Sequence, residues 1–140
     1  MRFGSAEVRG GTAVKHDDEL FLVISPDARY LVTVRLVTAD AARRAGFSVS
    51  EIDDLRIAVD ELALALMDAT EYRIAIRVRV DGPEVHVRGT ARRRRSDAPP
   101  VLGAVPALIV DAVSDHHHLA HSATEMWFTL AKTAGRVATS

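Results

Sequence analysis

Cysteine is absent from the sequence. That excludes disulfides, thiol chemistry and cysteine-based metal sites. An excess of either charge is missing too. The 18 Lys and Arg residues stand against 19 Asp and Glu, a net charge of −1, which argues against direct binding of nucleic acid. No apolar run approaches the ~20 residues of a membrane span, so no membrane contact is expected. The opening stretch, Met-Arg-Phe-Gly-Ser-Ala-Glu-Val-Arg-Gly-Gly, has no continuous apolar core. No signal peptide is therefore expected, and a cytoplasmic protein is the default. Lysine is scarce beside arginine, and alanine is abundant, a bias that reflects a GC-rich coding sequence more than a function. No internal repeat is evident, and no serine–histidine arrangement argues for a nucleophilic enzyme.

What is present suits one domain. A chain of 140 residues can bury a core without staples, and 48% hydrophobic content excludes wholesale disorder. The strongest helix signal runs from Ser48 to Asp68. Ser48 and Glu51 have the spacing of a capping box, in which hydroxyl and carboxylate each satisfy an early backbone N–H. Ile52, Leu55, Val59, Leu62 and Leu66 step by three and four, which makes one buried stripe. A second flank carries Asp54, Ala58, Glu61, Ala65 and Asp68. From spacing alone Glu61 reads as a solvated helix residue.

The remaining elements come in chain order. Residues 1–17 read as a loosely held arm. Glu19 to Ile24 is a short, partly β-branched strand. Ser25-Pro26-Asp27 starts a helix, with serine as N-cap and proline at the first helical position. That helix runs to about Ala45 and stops at Gly46, a left-handed C-cap. Its stripe is Leu31, Val34, Val37, Ala41 and Ala45. Val32 and Leu36 lie outside the stripe, as on a helix that also meets a partner. After the Ser48 helix, Tyr72, Ile74, Ile76, Val78 and Val80 alternate with Arg73, Ala75, Arg77 and Arg79, a strand with one buried and one wet face. Asp81-Gly82-Pro83 turns the chain into an antiparallel strand at Val85 to Val87. Arg92 to Pro100 is a polar loop, and Val101 to Val113 a helix with Pro106 in its first turn or at a kink. His116, His117, His118 and His121 fall in a polar connection. Met126 to Leu130 is the last strand, and residues 134–140 are a tail. The order predicts an α+β fold over residues 18–133, a two-layer α/β sandwich. Its sheet is expected to be mixed but mostly antiparallel, with the helices on one face and arginines on the other.

The run Asp54-Leu55-Arg56-Ile57-Ala58-Val59-Asp60-Glu61 comes after a helix ending in Ala45-Gly46 and the capped Ser-Val-Ser-Glu. In this combination the chain resembles the anti-sigma factor and serine-protein kinase family of bacterial partner switching. That family belongs to the GHKL superfamily, with the histidine-kinase-like ATPase fold. The similarity covers about Glu19 to Lys132 and is closest over Arg35 to Glu61. In the family this helix carries a Glu-x-x-x-Asn box, whose asparagine is an oxygen ligand for Mg²⁺. Glu61 matches the glutamate, but the asparagine position is Ala65, which has no oxygen. The family's Asp-x-Gly-x-Gly motif, whose aspartate accepts the adenine amino group, corresponds to Arg88-Gly89-Thr90-Ala91-Arg92. An arginine cannot accept that N–H. The glycine-rich lid is replaced by Arg-Arg-Arg-Arg-Ser-Asp-Ala-Pro-Pro, with Gly103 the one glycine left near the last helix.

The resemblance therefore implies a degenerate, non-catalytic member with no cofactor expected. It implies binding of a sigma factor or an anti-anti-sigma protein, and a homodimer. Arg35 stands where a family arginine contributes to such contacts, beside Val32 and Leu36, and its planar donors suit the role. One alternative is an active ATP-dependent serine kinase using ATP and Mg²⁺ with atypical boxes. Another is a relative that binds an unrelated regulator. The histidine run reads as a solvated loop rather than a metal site. The Arg92 to Arg95 run reads as a solvated loop first, and as a contact for an acidic protein second. Asp60 has Arg56 one turn away as a candidate partner.

Overall fold

The computed structural model describes residues 8–9, 12–13 and 18–135. Val8–Arg9 (β1) pairs with Thr12–Ala13 (β2). The rest of the expected N-terminal arm, and residues 136–140 of the tail, lie outside the described residues.

Asp18–Ile24 (β3) begins the main sheet. Asp27, not Ser25, caps the next turn, its carboxylate accepting from the Arg29 backbone N–H. A single 3-10 turn at Ala28–Tyr30 leads into the helix Leu31–Arg44 (α1), so the helix starts later than Ser25-Pro26 implied. The acidic side chain at residue 27 outcompetes the serine because it reaches a free N–H two residues on. Gly46 takes φ 86°, its N–H donates to Arg43 O, and the Phe47 N–H reaches back to Ala42 O. That is a Schellman end, and the buried Phe47 closes it as an apolar latch.

Val49–Ala69 (α2) carries both bonds of the Ser48–Glu51 capping box. Leu55, Val59, Leu62 and Leu66 are fully buried, so the expected stripe faces the sheet. Ile74–Asp81 (β4) and Glu84–Arg92 (β5) form the hairpin, and Ala104–Val113 (α3) comes next with Gly103 as N-cap and Pro106 in its first turn. Pro106 is tolerated there because the first-turn N–H groups have no intrahelical acceptor.

His116–His121 is not a loop. It is a strand (β6), antiparallel to Glu125–Thr133 (β7), with His117 opposite Leu130 and Leu119 opposite Phe128. Four histidines and no apolar alternation give it no strand signature. Its backbone is recruited by the open edge of β7.

The sheet order is β3-β4-β5-β7-β6, and every neighbouring pair is antiparallel. The expected mixed sheet is thus wholly antiparallel. Between β3 and β4 the chain runs down α1 and back along α2, so β4 starts where β3 ended and must reverse. α3 carries the chain from β5 past β7 to the edge, leaving β6 parallel to β5 with β7 between them. Both α1 and α2 contact the sheet from one side, and α3 packs on α2. The core lies between the two layers, around Leu55, Leu62, Leu66, Ile74, Ile76, Met126 and Phe128.

Candidate functional site

α1 turns the predicted stripe to the core, with Leu31, Val34, Ala41 and Ala45 inaccessible or nearly so and Val37 partly buried beside them. The two apolar residues outside that stripe are left in solvent: Val32 is 54% exposed and Leu36 66%. Arg35 lies between them in sequence. Its Nε donates to Asp60 Oδ1 of α2 at 2.9 Å. The expected Asp60–Arg56 pair is absent, and Arg56 approaches Asp53 instead at 3.5 Å. An i,i+4 pair with the cation on the N-terminal side opposes the helix dipole. Arg35 instead comes across the helix interface, where the pair is partly shielded from water. Val32, Arg35, Leu36, Ala39, Arg43 and Arg56 together line a groove of about 140 Å³ between the two helices. Its floor is apolar and three guanidiniums frame it.

The residues matched to the nucleotide boxes are spread over two faces of the sheet. Asp60 faces α1, which places Glu61 and Ala65 on the opposite flank of α2, toward α3. Ala65 is 7% exposed, so the position is filled by the packing of the layers. Glu61 is half-buried and makes no hydrogen bond or ion pair among the described residues. Gly89 lies inside β5, opposite Ile76 and Phe128, and a Cβ there would collide with the Phe128 ring. Glycine is required at that point by an aromatic ring. Arg88 projects from the other side of the same strand, away from α2. Gly103 has extended backbone and caps α3 without a side-chain bond. The structure thus brings Glu61 and Ala65 to one flank of α2 and turns Arg88 away from it.

Arg92, Arg94 and Arg95 are exposed, as a solvated loop requires, but the run is also tied to its neighbours. The Arg92 and Arg94 guanidiniums sit over the Tyr72 ring at 5.5 and 6.0 Å. Arg93 donates to the carbonyls of Ser122 and Asp97, and Arg94 pairs with Glu71 and Asp97. The run staples the end of β5 to the β6–β7 turn, because free carbonyls there need donors. His117 lies 3.3 Å from Asp111, but among the described residues no group of three or more His, Asp or Glu is placed to hold a metal. Among them no helix is long and apolar enough to cross a membrane.

Arg77 and Arg88 face each other directly across β4 and β5, a pairing that periodicity and motifs do not single out. A signal for it was present: the hairpin closes at Asp81 and Glu84, and counting back from that turn sets the register. In comparisons with known proteins, no family model and no curated protein matches the chain.

Proposed function

We propose that the protein is a non-catalytic regulator of the anti-sigma type. On this reading its fold is that of the histidine-kinase-like ATPases, and it works by gripping a sigma factor or an anti-anti-sigma protein along α1. The observation that carries the proposal is the α1 groove. Val32 and Leu36 are exposed on a helix whose own core stripe is already satisfied, and Arg35, Arg43 and Arg56 frame the same groove. Exposed apolar side chains rimmed by guanidiniums suit a partner segment with an apolar ridge and acidic flanks.

The non-catalytic half rests on the α2 flank. A Mg²⁺ ion needs oxygen ligands, and Ala65 supplies none. Arg88 projects from the opposite face of the sheet, so it does not stand beside Glu61. The pair of adjacent helices between the first two strands of the main sheet, with the helical layer on one side, supports the fold assignment.

The test is calorimetry and size-exclusion chromatography with purified sigma factors and anti-anti-sigma proteins of the host. One of them should form a stable complex that Leu36→Glu weakens by about ten-fold or more, as expected when a central apolar anchor is replaced by a charge. An unchanged affinity in Leu36→Glu overturns the α1 assignment. Micromolar binding of Mg²⁺–ATP overturns the non-catalytic half.

A further inference from the structure

The helices cover one face of the sheet, and among the described residues no helix covers the other. On that face β4 presents Arg77 and Arg79, and β5, the central strand of five, presents His86 and Arg88. The register sets Arg77 directly opposite Arg88 and Arg79 directly opposite His86. Four basic side chains therefore occupy the corners of one block, with Cβ atoms about 4.5–5.5 Å apart across the strands. Like charges in direct register oppose strand pairing.

The nearby carboxylates neutralise this block only in part. Arg77 lies 3.7 Å from Glu19, and Arg79 lies 3.8 Å from Asp81, both beyond hydrogen-bond distance. His86 is engaged by Glu84. Arg88 has no carboxylate partner among the described residues. The next residue across from Arg88, on β7, is Thr129. These side chains wall a surface cavity of about 250 Å³. Val87 and Leu130 also line it; their side chains are buried on the far face, so they contribute backbone. Phe21 lies 5.5 Å from the Arg77 guanidinium and backs it from β3. Glu19 closes the β3 side with negative charge, which directs an anion toward Arg88 and Thr129.

We infer that this cavity binds a phosphoryl group carrying at least two negative charges, held by Arg77, Arg79 and Arg88 with the Thr129 hydroxyl as a neutral donor. Planar guanidiniums pair with phosphate oxygens through parallel N–H bonds, and a phosphoryl group offers three terminal oxygens to three such forks. A single carboxylate has too few oxygens and too little charge to satisfy all three. The bound anion also relieves the repulsion between Arg77 and Arg88. The cavity is across the sheet from α2, so it is independent of the α1 groove and of Glu61 and Ala65.

The test uses the full chain at constant ionic strength, with pyrophosphate and inorganic phosphate as free probes. A phosphoserine peptide, set against its unphosphorylated form, probes a protein-borne source. Calorimetry should show saturable one-site binding of pyrophosphate or of the phosphopeptide, and the melting temperature should rise with the bound probe. Binding of the phosphopeptide alone assigns the phosphoryl group to a protein partner; binding of pyrophosphate assigns it to a free ligand. Arg88→Gln should weaken binding about ten-fold or more, the loss of a charge-assisted bond. Without probe it should melt no lower than the wild type, because it removes a like-charge neighbour. Arg77→Gln should behave the same way, and Arg95→Gln, at an exposed arginine in the loop after β5 that does not line the cavity, should bind like the wild type. Absence of saturable binding by every probe overturns the site. So does an unchanged affinity in both Arg88→Gln and Arg77→Gln, or binding that Glu61→Ala abolishes while Arg88→Gln keeps it.

Discussion

Arg35 Nε donates to Asp60 Oδ1 at 2.9 Å, and the bond joins α1 to α2 beside the groove that Val32 and Leu36 leave open. Arg35 is therefore committed to the fold through one nitrogen. Its side chain remains 34% exposed, so the rest of the guanidinium faces the groove. On the proposed function, structural and binding roles meet in this one residue.

That overlap dictates how the interface is tested. Arg35→Ala and Asp60→Ala should each destabilise the protein by about 0.5–1.5 kcal/mol, with a coupling energy of about 0.5–1 kcal/mol in a double-mutant cycle of urea melts. Val32→Glu and Leu36→Glu touch no part of the core. They should stay within about 0.5 kcal/mol of the wild type while losing the partner. A binding loss seen only with Arg35 variants would point to altered helix packing instead.

Gly89 has no room for a methyl group. Gly89→Ala should cost about 1–3 kcal/mol in denaturant melts, because the Phe128 ring must move within a close-packed layer. Phe128→Leu in the same chain should recover part of that loss, since the smaller side chain vacates the space the new methyl needs. Additive destabilisation in the double variant would contradict the contact.

The α2 cap also holds the segment just after β7. Glu51 accepts from the Ser48 backbone N–H at 2.9 Å and from the Gly135 backbone N–H. These two bonds, Ser48 first, hold its carboxyl below the ordinary value of 4.5. The folded pKa is depressed, so the contribution is fully present above the unfolded value and is lost as pH falls through the folded one. Asp18 behaves alike, lowered from 3.8 chiefly by its bond to Arg44. Urea melts should show stability falling as the pH drops below about 4.5, and Glu51→Gln should flatten that fall. Ser48→Ala should cost about 1 kcal/mol at neutral pH.

Ala65→Asn supplies the oxygen that a Glu-x-x-x-Asn box would have, but places a polar amide where the residue is 7% exposed. The expected result is a loss of about 1–3 kcal/mol of stability and no gain of Mg²⁺–ATP binding by calorimetry. Nucleotide binding gained by this single change would show that the remaining positions form a working pocket.

The sequence by itself determined the elements whose signals are local. The Ser48–Glu51 box, the Leu55-Val59-Leu62-Leu66 stripe, the Gly46 stop and the alternation through Ile74, Ile76 and Val78 all arise from contacts a few residues apart. Spacing alone is enough to read such contacts. The same logic separated Val32 and Leu36 from the core face of α1. Only the tertiary structure decided what depends on distant backbone. His116 to His121 became a strand because β7 offered an open edge, which no periodicity in the histidines encodes. Asp60 chose Arg35 over Arg56 because a partner across a helix interface is better shielded than one on its own solvated surface. Gly89 came under Phe128, and Arg77 came opposite Arg88, through strand pairing between residues far apart in the chain. The register of a sheet is set by turns and neighbouring strands, so both the filled position in the core and the basic cavity on the face opposite the helices appear only once the strands are laid side by side.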